Sequence, residues 1–386
     1  MIAPTLRGAR PASRGTTRQL ASPWRHVDLV LLGAVLAISA ISLIMIYSAT
    51  RNQQAASSLG GTYYLKRQAI YVGIGLAVMA VVAFVDYRSL PEVAPVIYVI
   101  TLLVLLLVVS PLGATKRGSQ AWFQLGNFQL EPSEFAKPAM IVCLSAFITR
   151  HRSDLDGRRL ATFLGLIALP LILIYRQPDF GTAMVFGSIL LSLLLVGGAR
   201  PRHLAALVLL GVLAGGAIIQ LGVLKQYQVD RLSAFLDPQG DSQRSTYNLR
   251  QSQIAIAAGG VAGRGLFQGT QTNLSFVPEQ HTDFIFTAVG EELGFLGAVS
   301  LLGLFGVVTW RLWRAAVLAR DQFGRLLCVG VLAMLVFQIF ENVGMTMGIT
   351  PITGIPLPFM SYGGSTMITS CIAVGLVLNV HMRRFS

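Results

Sequence analysis

The chain has 386 residues, 54% of them hydrophobic and only 12% charged, with a mean hydropathy of +0.65. A soluble domain carries roughly 25% charged residues, so half of the usual polar coat is missing, which excludes a soluble enzyme, a disordered chain and a disulfide scaffold. The net charge of +13 does not indicate a nucleic-acid partner, because the basic residues sit between apolar segments, as in a polytopic membrane protein, rather than on one basic face.

Residues 1–26 carry Arg7, Arg10, Arg14, Arg18 and Arg25, no acid, and several Ser, Thr and Pro, which reads as a disordered basic cytoplasmic tail. No apolar core precedes the first span, so this is not a cleaved signal. Ten segments then approach the roughly 20 apolar residues that a membrane helix needs: 27–49, 69–85, 93–112, 132–149, 160–175, 180–198, 204–224, 292–313, 326–348 and 362–380. The expected fold is all-α, a polytopic membrane protein of ten transmembrane helices, forming one domain over residues 27–384. The fifth segment is short, lying between Arg159 and Arg176, and dropping it would invert everything downstream. Charge retains it. With ten spans and a cytoplasmic N-terminus, most of the 30 basic residues fall on the cytoplasmic side, and both termini are cytoplasmic. Trp310 and Trp313, interleaved with Arg311 and Arg314, read as an interfacial belt. Cys143, Cys328 and Cys371 lie inside apolar segments without paired or metal-ligand spacing, and read as core residues.

The extracytoplasmic segment 225–291, between the seventh and eighth spans, is the exception. Connections longer than about 12–15 residues are uncommon unless functional or disordered. This one alternates apolar stretches (254–258, 274–277) with glycine and polar residues, so it is expected to hold short interfacial helices over the membrane face.

Ionisable groups in or beside spans are costly and are functional candidates by default. Glu134 and Lys137 open the fourth span three residues apart, on one helix face, either as a structural ion pair or as a cation facing a buried anionic ligand. Asp179, in Arg176-Gln-Pro-Asp179-Phe-Gly-Thr182, either caps the sixth helix or helps to bind a polar substrate. Pro278-Glu279-Gln280-His281-Thr282-Asp283, with Glu291 and Glu292 beyond, gathers carboxylates and an imidazole at the membrane face. A carboxylate held near lipid has a raised pKa and suits a general base, while an N-cap role for Asp283 is the alternative. The stretch from Gly259 to Gly269 lacks the spacing and the βαβ setting of a dinucleotide loop, although its turn leaves Arg264 free to approach a phosphate. Pro356-Leu-Pro-Phe-Met-Ser361-Tyr-Gly-Gly364-Ser365 interrupts the chain before the last span, and irregular backbone at that depth must be buried or line a cavity. Four polar clusters thus meet on the outer side, which fits an enzyme acting on an anionic lipid-linked substrate or a transporter moving one. The residues alone do not choose.

Gln177-Pro-Asp179-Phe-Gly-Thr182, Tyr247-Asn-Leu-Arg-Gln251-Ser252-Gln-Ile-Ala-Ile, Gly269-Thr-Gln271, Phe276-Val-Pro278-Glu279-Gln-His281-Thr-Asp283-Phe-Ile-Phe286 and Gly354-Ile-Pro-Leu-Pro-Phe-Met-Ser361-Tyr-Gly-Gly364-Ser365 together resemble the SEDS family (shape, elongation, division, sporulation; RodA, FtsW and SpoVE), in the family's order. The stretch from His281 to Phe286 is more similar to the elongation member RodA than to the division member FtsW. The resemblance implies a peptidoglycan glycosyltransferase that polymerises lipid II into β-1,4 glycan strands at the outer face of the bacterial cytoplasmic membrane. It implies a class B penicillin-binding protein as transpeptidase partner, other elongation-complex proteins, undecaprenyl pyrophosphate as leaving group, and no nucleic acid. Asp283 takes the position of the family's essential aspartate and would be the general base; Glu134 and Lys137 match its acid–lysine pair. Lys137, Arg264 and Arg231, or a divalent cation (Mg2+ or Mn2+), would stabilise the leaving pyrophosphate, and Asp179, Glu279, His281 and Ser361 would bind substrate. One position departs from the family: Ala121, where an arginine usually precedes Trp122, with Lys116 or Arg117 as substitutes. The alternatives are a lipid II flippase, a division-type polymerase, and a scaffold for the transpeptidase.

Overall fold

The computed structural model describes residues 26–55, 61–116, 119–126, 128–151, 156–220, 226–236 and 245–384. Residues 1–25 of the tail expected over 1–26, residues 221–225 and 237–244 of the long segment, and Arg117 lie outside the described residues.

In lipid, backbone N–H and C=O groups must find partners within the segment, so long apolar runs become helices. They form α1 (Leu29–Ala55), α2 (Tyr63–Phe84), α3 (Leu90–Val109), α4 (Pro132–Arg150), α5 (Gly157–Arg176), α6 (Phe180–Val196), α7 (Pro201–Gln220), α8 (Gln226–Leu236), α9 (Ser245–Gly259), α10 (Thr270–Asn273), α11 (Ile285–Leu318), α12 (Gln322–Met347) and α13 (Gly364–Met382). A 3-10 turn, Tyr87–Ser89, joins α2 to α3. A small antiparallel sheet, β1 (Ala114–Lys116), β2 (Ser119–Leu125) and β3 (Phe128–Leu130), joins α3 to α4.

Each of the ten expected spans overlaps a helix, and the protein is an all-α, multi-pass membrane protein. Seven helices among the described residues (α1, α2, α3, α5, α11, α12 and α13) are long and apolar enough to cross a bilayer by themselves. In α4 the charges of Glu134 and Lys137 lower the hydropathy, and the apolar stretches of α6 and α7 are shorter. α11 starts at Ile285, seven residues before the expected boundary, and breaks at Gly294, whose φ is 67°. Glu291 and Glu292, which look like a polar boundary in the sequence, are buried within it.

α13 is the centre of the bundle: 94% of its apolar window is buried, against 17% of the window containing α3, which therefore faces lipid. Small residues let α13 approach α2: a Cβ at Gly75 would stand 2.9 Å from Cys371 Sγ, and one at Gly375 would stand 2.9 Å from the Met79 carbonyl. Cys143, Cys328 and Cys371 are buried free thiols. The segment between α7 and α11 does hold short helices, and α9 among them packs on α11 and α12. α11 and α12 run the length of the bundle. One of its ends therefore gathers α9, α10, the turn before α11 and the loop after α12; the other holds the 3-10 turn and the α11–α12 connection.

Candidate functional site

Asp283 sits in the turn that leads into α11. The turn is built on Glu279, held at φ 54°, whose carbonyl accepts the N–H groups of Thr282 (3.2 Å), Asp283 (3.1 Å) and Phe284 (3.4 Å). A left-handed non-glycine residue is uncommon and strained, and persists where the surroundings over-determine it. The N-cap of α11 is Phe284, which offers no capping side chain, so Asp283 does not occupy the capping position. From α12, Asn342 donates one Nδ2 hydrogen to the Asp283 carbonyl and one to the Ile355 carbonyl, both at 2.8 Å.

Ile355 belongs to the irregular stretch between Gly348, the left-handed C-cap of α12, and α13. Gly354 in that stretch has φ 76°. A Cβ there would lie 3.4 Å from Asp283 Oδ2, 3.6 Å from Arg231 Nη1 and 3.8 Å from Arg231 Nη2. Glycine thus leaves open a point that a carboxylate and a guanidinium face together. Arg231, from α8, anchors there by donating to the Thr353 carbonyl (3.1 Å). Asp283 and Arg231, distant in sequence, are brought together.

The same stretch is pinned throughout, as irregular backbone at membrane depth requires. Ser361, 2% exposed, accepts the Leu357 N–H at Oγ (2.8 Å), and its carbonyl accepts from Gln68 of α2 (3.3 Å). Ser42 of α1 donates to the Met360 carbonyl (2.7 Å). Tyr362 donates its N–H to the His281 carbonyl (2.9 Å), and the rings of His281, Tyr64 and Tyr362 form a three-way cluster, with His281 4.9 Å from Tyr64 and 5.6 Å from Tyr362 and the two tyrosines 5.0 Å apart. Ser361 therefore shapes the loop, and His281 sits in an aromatic setting beside it.

A second polar group lies at the start of α4. Lys137 Nζ and Glu134 Oε1 are 2.5 Å apart, with 1% and 4% of their side chains exposed, so this pair neutralises itself out of solvent. Ser133 donates to Glu131 (3.2 Å) and lies 3.4 Å from Asp179 Oδ2, and Trp122 Nε1 donates to Glu131 (3.1 Å). Burial, with Glu134 and Asp179 close by, pushes Glu131 up to about 8. Asp179 caps α6 by accepting the Thr182 N–H (2.9 Å), so its capping function is real and its second oxygen still reaches this group. Ser365 of α13 accepts the Glu131 N–H (2.9 Å), which connects the second group to the loop holding Gly354. Ala121 is 1% exposed on β2.

Other candidates stand apart. Arg264 is exposed and donates Nε to the Ala258 carbonyl (2.8 Å), which ties it to α9 rather than to Asp283. Its glycines serve packing: a Cβ at Gly259 would be 1.9 Å from the Gly290 carbonyl oxygen. Glu291 accepts from the N–H groups of Gln271 (2.7 Å) and Thr272 (2.9 Å) at the start of α10; Glu292 accepts from Ser48 Oγ and the Phe267 N–H. These two carboxylates fasten the segment 267–273 to the bundle. Among the described residues no group of three or more His, Cys, Asp or Glu side chains is gathered to hold a metal ion. The sequence reading assigned no role to Asn342, Gln68, Ser133 and Glu131. Two of them carried a signal: Glu131, a carboxylate directly before the fourth span, and Asn342, an amide within an apolar span.

Comparison with known proteins follows the whole chain. The family profile of the cell cycle proteins FtsW, RodA and SpoVE matches residues 28–385. A probable peptidoglycan glycosyltransferase FtsW of Geobacter metallireducens is 36% identical over 359 residues, 92% of this chain and 95% of its own length. The peptidoglycan glycosyltransferase MrdB of Escherichia coli K12 is 36% identical over 360 residues, 93% of this chain and 94% of its own. A solved chain from a peptidoglycan synthase complex, described as coordinating polymerization and crosslinking, superposes with a TM-score of 0.79 at 33% identity, over 94% of this chain and 100% of that one.

Proposed function

The chain belongs to the FtsW, RodA and SpoVE family, and we propose that it is a peptidoglycan glycosyltransferase polymerising lipid II, with Asp283 as general base. The observation that carries the assignment of the base is the point at Gly354 where Asp283 and Arg231 face each other. Relatives named as peptidoglycan glycosyltransferases, matched over nearly their full lengths, support the activity.

The chemistry follows from the arrangement. The 4-hydroxyl of the acceptor sugar attacks the anomeric carbon of the donor; the C–O bond to the polyprenyl pyrophosphate breaks, and the pyrophosphate takes the electron pair. Asp283 removes the hydroxyl proton, for which it must come within hydrogen-bond reach of that oxygen. The leaving group gathers negative charge, which a fixed cation stabilises most where water is scarce. Of the three cations considered, Arg231 is the best placed, because Lys137 is committed to Glu134 and Arg264 to α9. Inversion from the α-phosphate to a β linkage requires in-line attack, so donor and acceptor occupy opposite sides of this point.

The Asp283 end faces the outside of the cytoplasmic membrane in this reading, with both termini in the cytoplasm and residues 1–26 as a basic tail. The partner is a class B penicillin-binding protein; the solved chain from a synthase complex supports that choice. Elongation is the proposed setting on the motif from His281 to Phe286, although 36% identity to both FtsW and MrdB relatives does not favour it over division. Purified chain and partner are incubated with lipid II, as wild type and as Asp283→Asn. Glycan from the wild type alone is the expected result. Full activity in Asp283→Asn would remove the base, and lipid II crossing liposome membranes without polymer would replace the polymerase with a flippase.

A further inference from the structure

Asn342 is 0% exposed in the body of α12 and spends both Nδ2 hydrogens on main-chain carbonyls, those of Asp283 and Ile355. A primary amide is one of the few side chains that present two donors from one atom. Its orientation is settled by the partners: turned over, it would set Oδ1 against two carbonyl oxygens. The two acceptors belong to separate non-helical segments, the turn before α11 and the loop after α12. One carries the proposed base, and the other carries Gly354 and, through the Thr353 carbonyl, Arg231. Neither segment has a helix of its own at this point, so each takes its position from what it is tied to. α12 is a continuous helix of 26 residues that ends in a left-handed glycine C-cap beyond Asn342, and it provides a rigid root.

We propose that Asn342 is a positioning residue for glycosyl transfer, fixing the Asp283 turn and the 353–355 segment to one helix and so setting the spacing between base and cation. This rests on the reading of Asp283 as general base. Asn379 of α13 offers an internal contrast. It also donates Nδ2 to two carbonyls, of Val82 and Val85, but these end a helix at the other end of the bundle. Asn379 closes a helix terminus; Asn342 aligns two parts of a site.

The test is a double-mutant cycle in kcat, measured on the purified complex with lipid II. Asn342→Ala is expected to lower kcat about 10- to 100-fold with KM within about twofold, because small displacements of reacting groups are costly. Asp283→Glu keeps a base on a longer arm. In the Asn342→Ala background, where the base is already displaced, it should cost at least about threefold less than in the wild type. With Asn379→Ala in place of Asn342→Ala, the losses should simply multiply. Multiplying losses for Asn342 and Asp283, or an unchanged kcat in Asn342→Ala, would overturn the inference while leaving Asp283 as base. Full activity in Asp283→Asn would instead remove the reading beneath it. Should Asn342→Ala fail to unfold at a temperature near that of the wild type, Asn342→Ser, which retains one donor, takes its place in the same cycle.

Discussion

The two ends of the bundle spend their polar groups differently. At the end remote from Asp283, α2 finishes with carbonyls that its own helix cannot satisfy. Those of Val82 and Val85 accept from Asn379, and those of Ala83 and Phe84 accept from Arg383 at 3.1 and 2.6 Å. Asn379 Oδ1 in turn accepts the Tyr87 N–H, the Tyr87 hydroxyl donates to Asp321, and Asp321 caps α12. Asp28 caps α1 and pairs with Arg311 at 2.6 Å. These groups largely close helix ends. At the Asp283 end the backbone instead leaves helical geometry, with Phe267, Ser275, Glu279 and Phe359 all at positive φ. Buried acceptors such as Gln280 Oε1, Glu341 Oε1 and Asn342 Oδ1 accept no hydrogen bond from the described residues. Left-handed backbone at non-glycine residues is a cost that a purely structural end has no reason to carry. One end closes helix termini; the other, on the proposed reading, holds side chains in position for a ligand.

Lys137→Met gives the largest expected break in this contrast. It leaves Glu134 charged and buried, which costs about 3–5 kcal/mol and lowers the melting temperature in detergent. The double variant Lys137→Met/Glu134→Gln removes the charge and should melt near the wild type. Polymer from that double variant would make the pair structural and move it to the stability side of the comparison; loss of polymer from a folded protein would keep it with the site. Next comes Gly354→Ala. Its φ of 76° strains alanine by about 1 kcal/mol, but the new Cβ enters the point between Asp283 and Arg231, and turnover should fall on the order of 10²-fold. A turnover within a few-fold of wild type would show that the reacting groups do not meet there. Asn379→Ala should do the reverse. It unpairs two carbonyls for about 1–3 kcal/mol of stability, and the protein that remains folded should polymerise at the wild-type rate.

The helical bundle was legible because lipid leaves a long apolar run few solutions: each expected span overlaps a helix, and seven helices among the described residues are long and apolar enough to cross by themselves. The boundary of α11 was not, because Glu291 and Glu292 look like a water-facing break until α10 is seen donating its N–H groups to one of them. The sheet from β1 to β3 was missed, since strands of three to seven residues carry too little alternation to be read. Within the proposed site, charged residues stood out because charge near lipid is conspicuous, and motif resemblance suggested the role proposed for Asp283. Which of them meet could not be read. Arg231 and Arg264 look equivalent in sequence, and only the folding of α8 against Thr353 separates them. Asn342 escaped because its work is done through main-chain carbonyls, which have no sequence identity.

Glu131 gives the finest division between the ends. Its carboxyl, raised from the ordinary 4.5 to about 8 by burial and by the carboxylates of Glu134 and Asp179, holds its proton at neutral pH. Between those two values the native protein binds a proton that the unfolded chain has released. Stability therefore falls as pH rises through that window and levels off above about 8. Ionisation above that point also adds a negative charge beside a site proposed to take a pyrophosphate. The melting temperature of the wild type should then drop from pH 6 to pH 9 more than that of Glu131→Gln, which cannot ionise, and lipid II turnover should weaken over the same range in the wild type only. Parallel curves for the two proteins would mean that Ser133 and Trp122 hold the carboxylate ionised already, and would place Glu131 with the helix-closing groups of the opposite end.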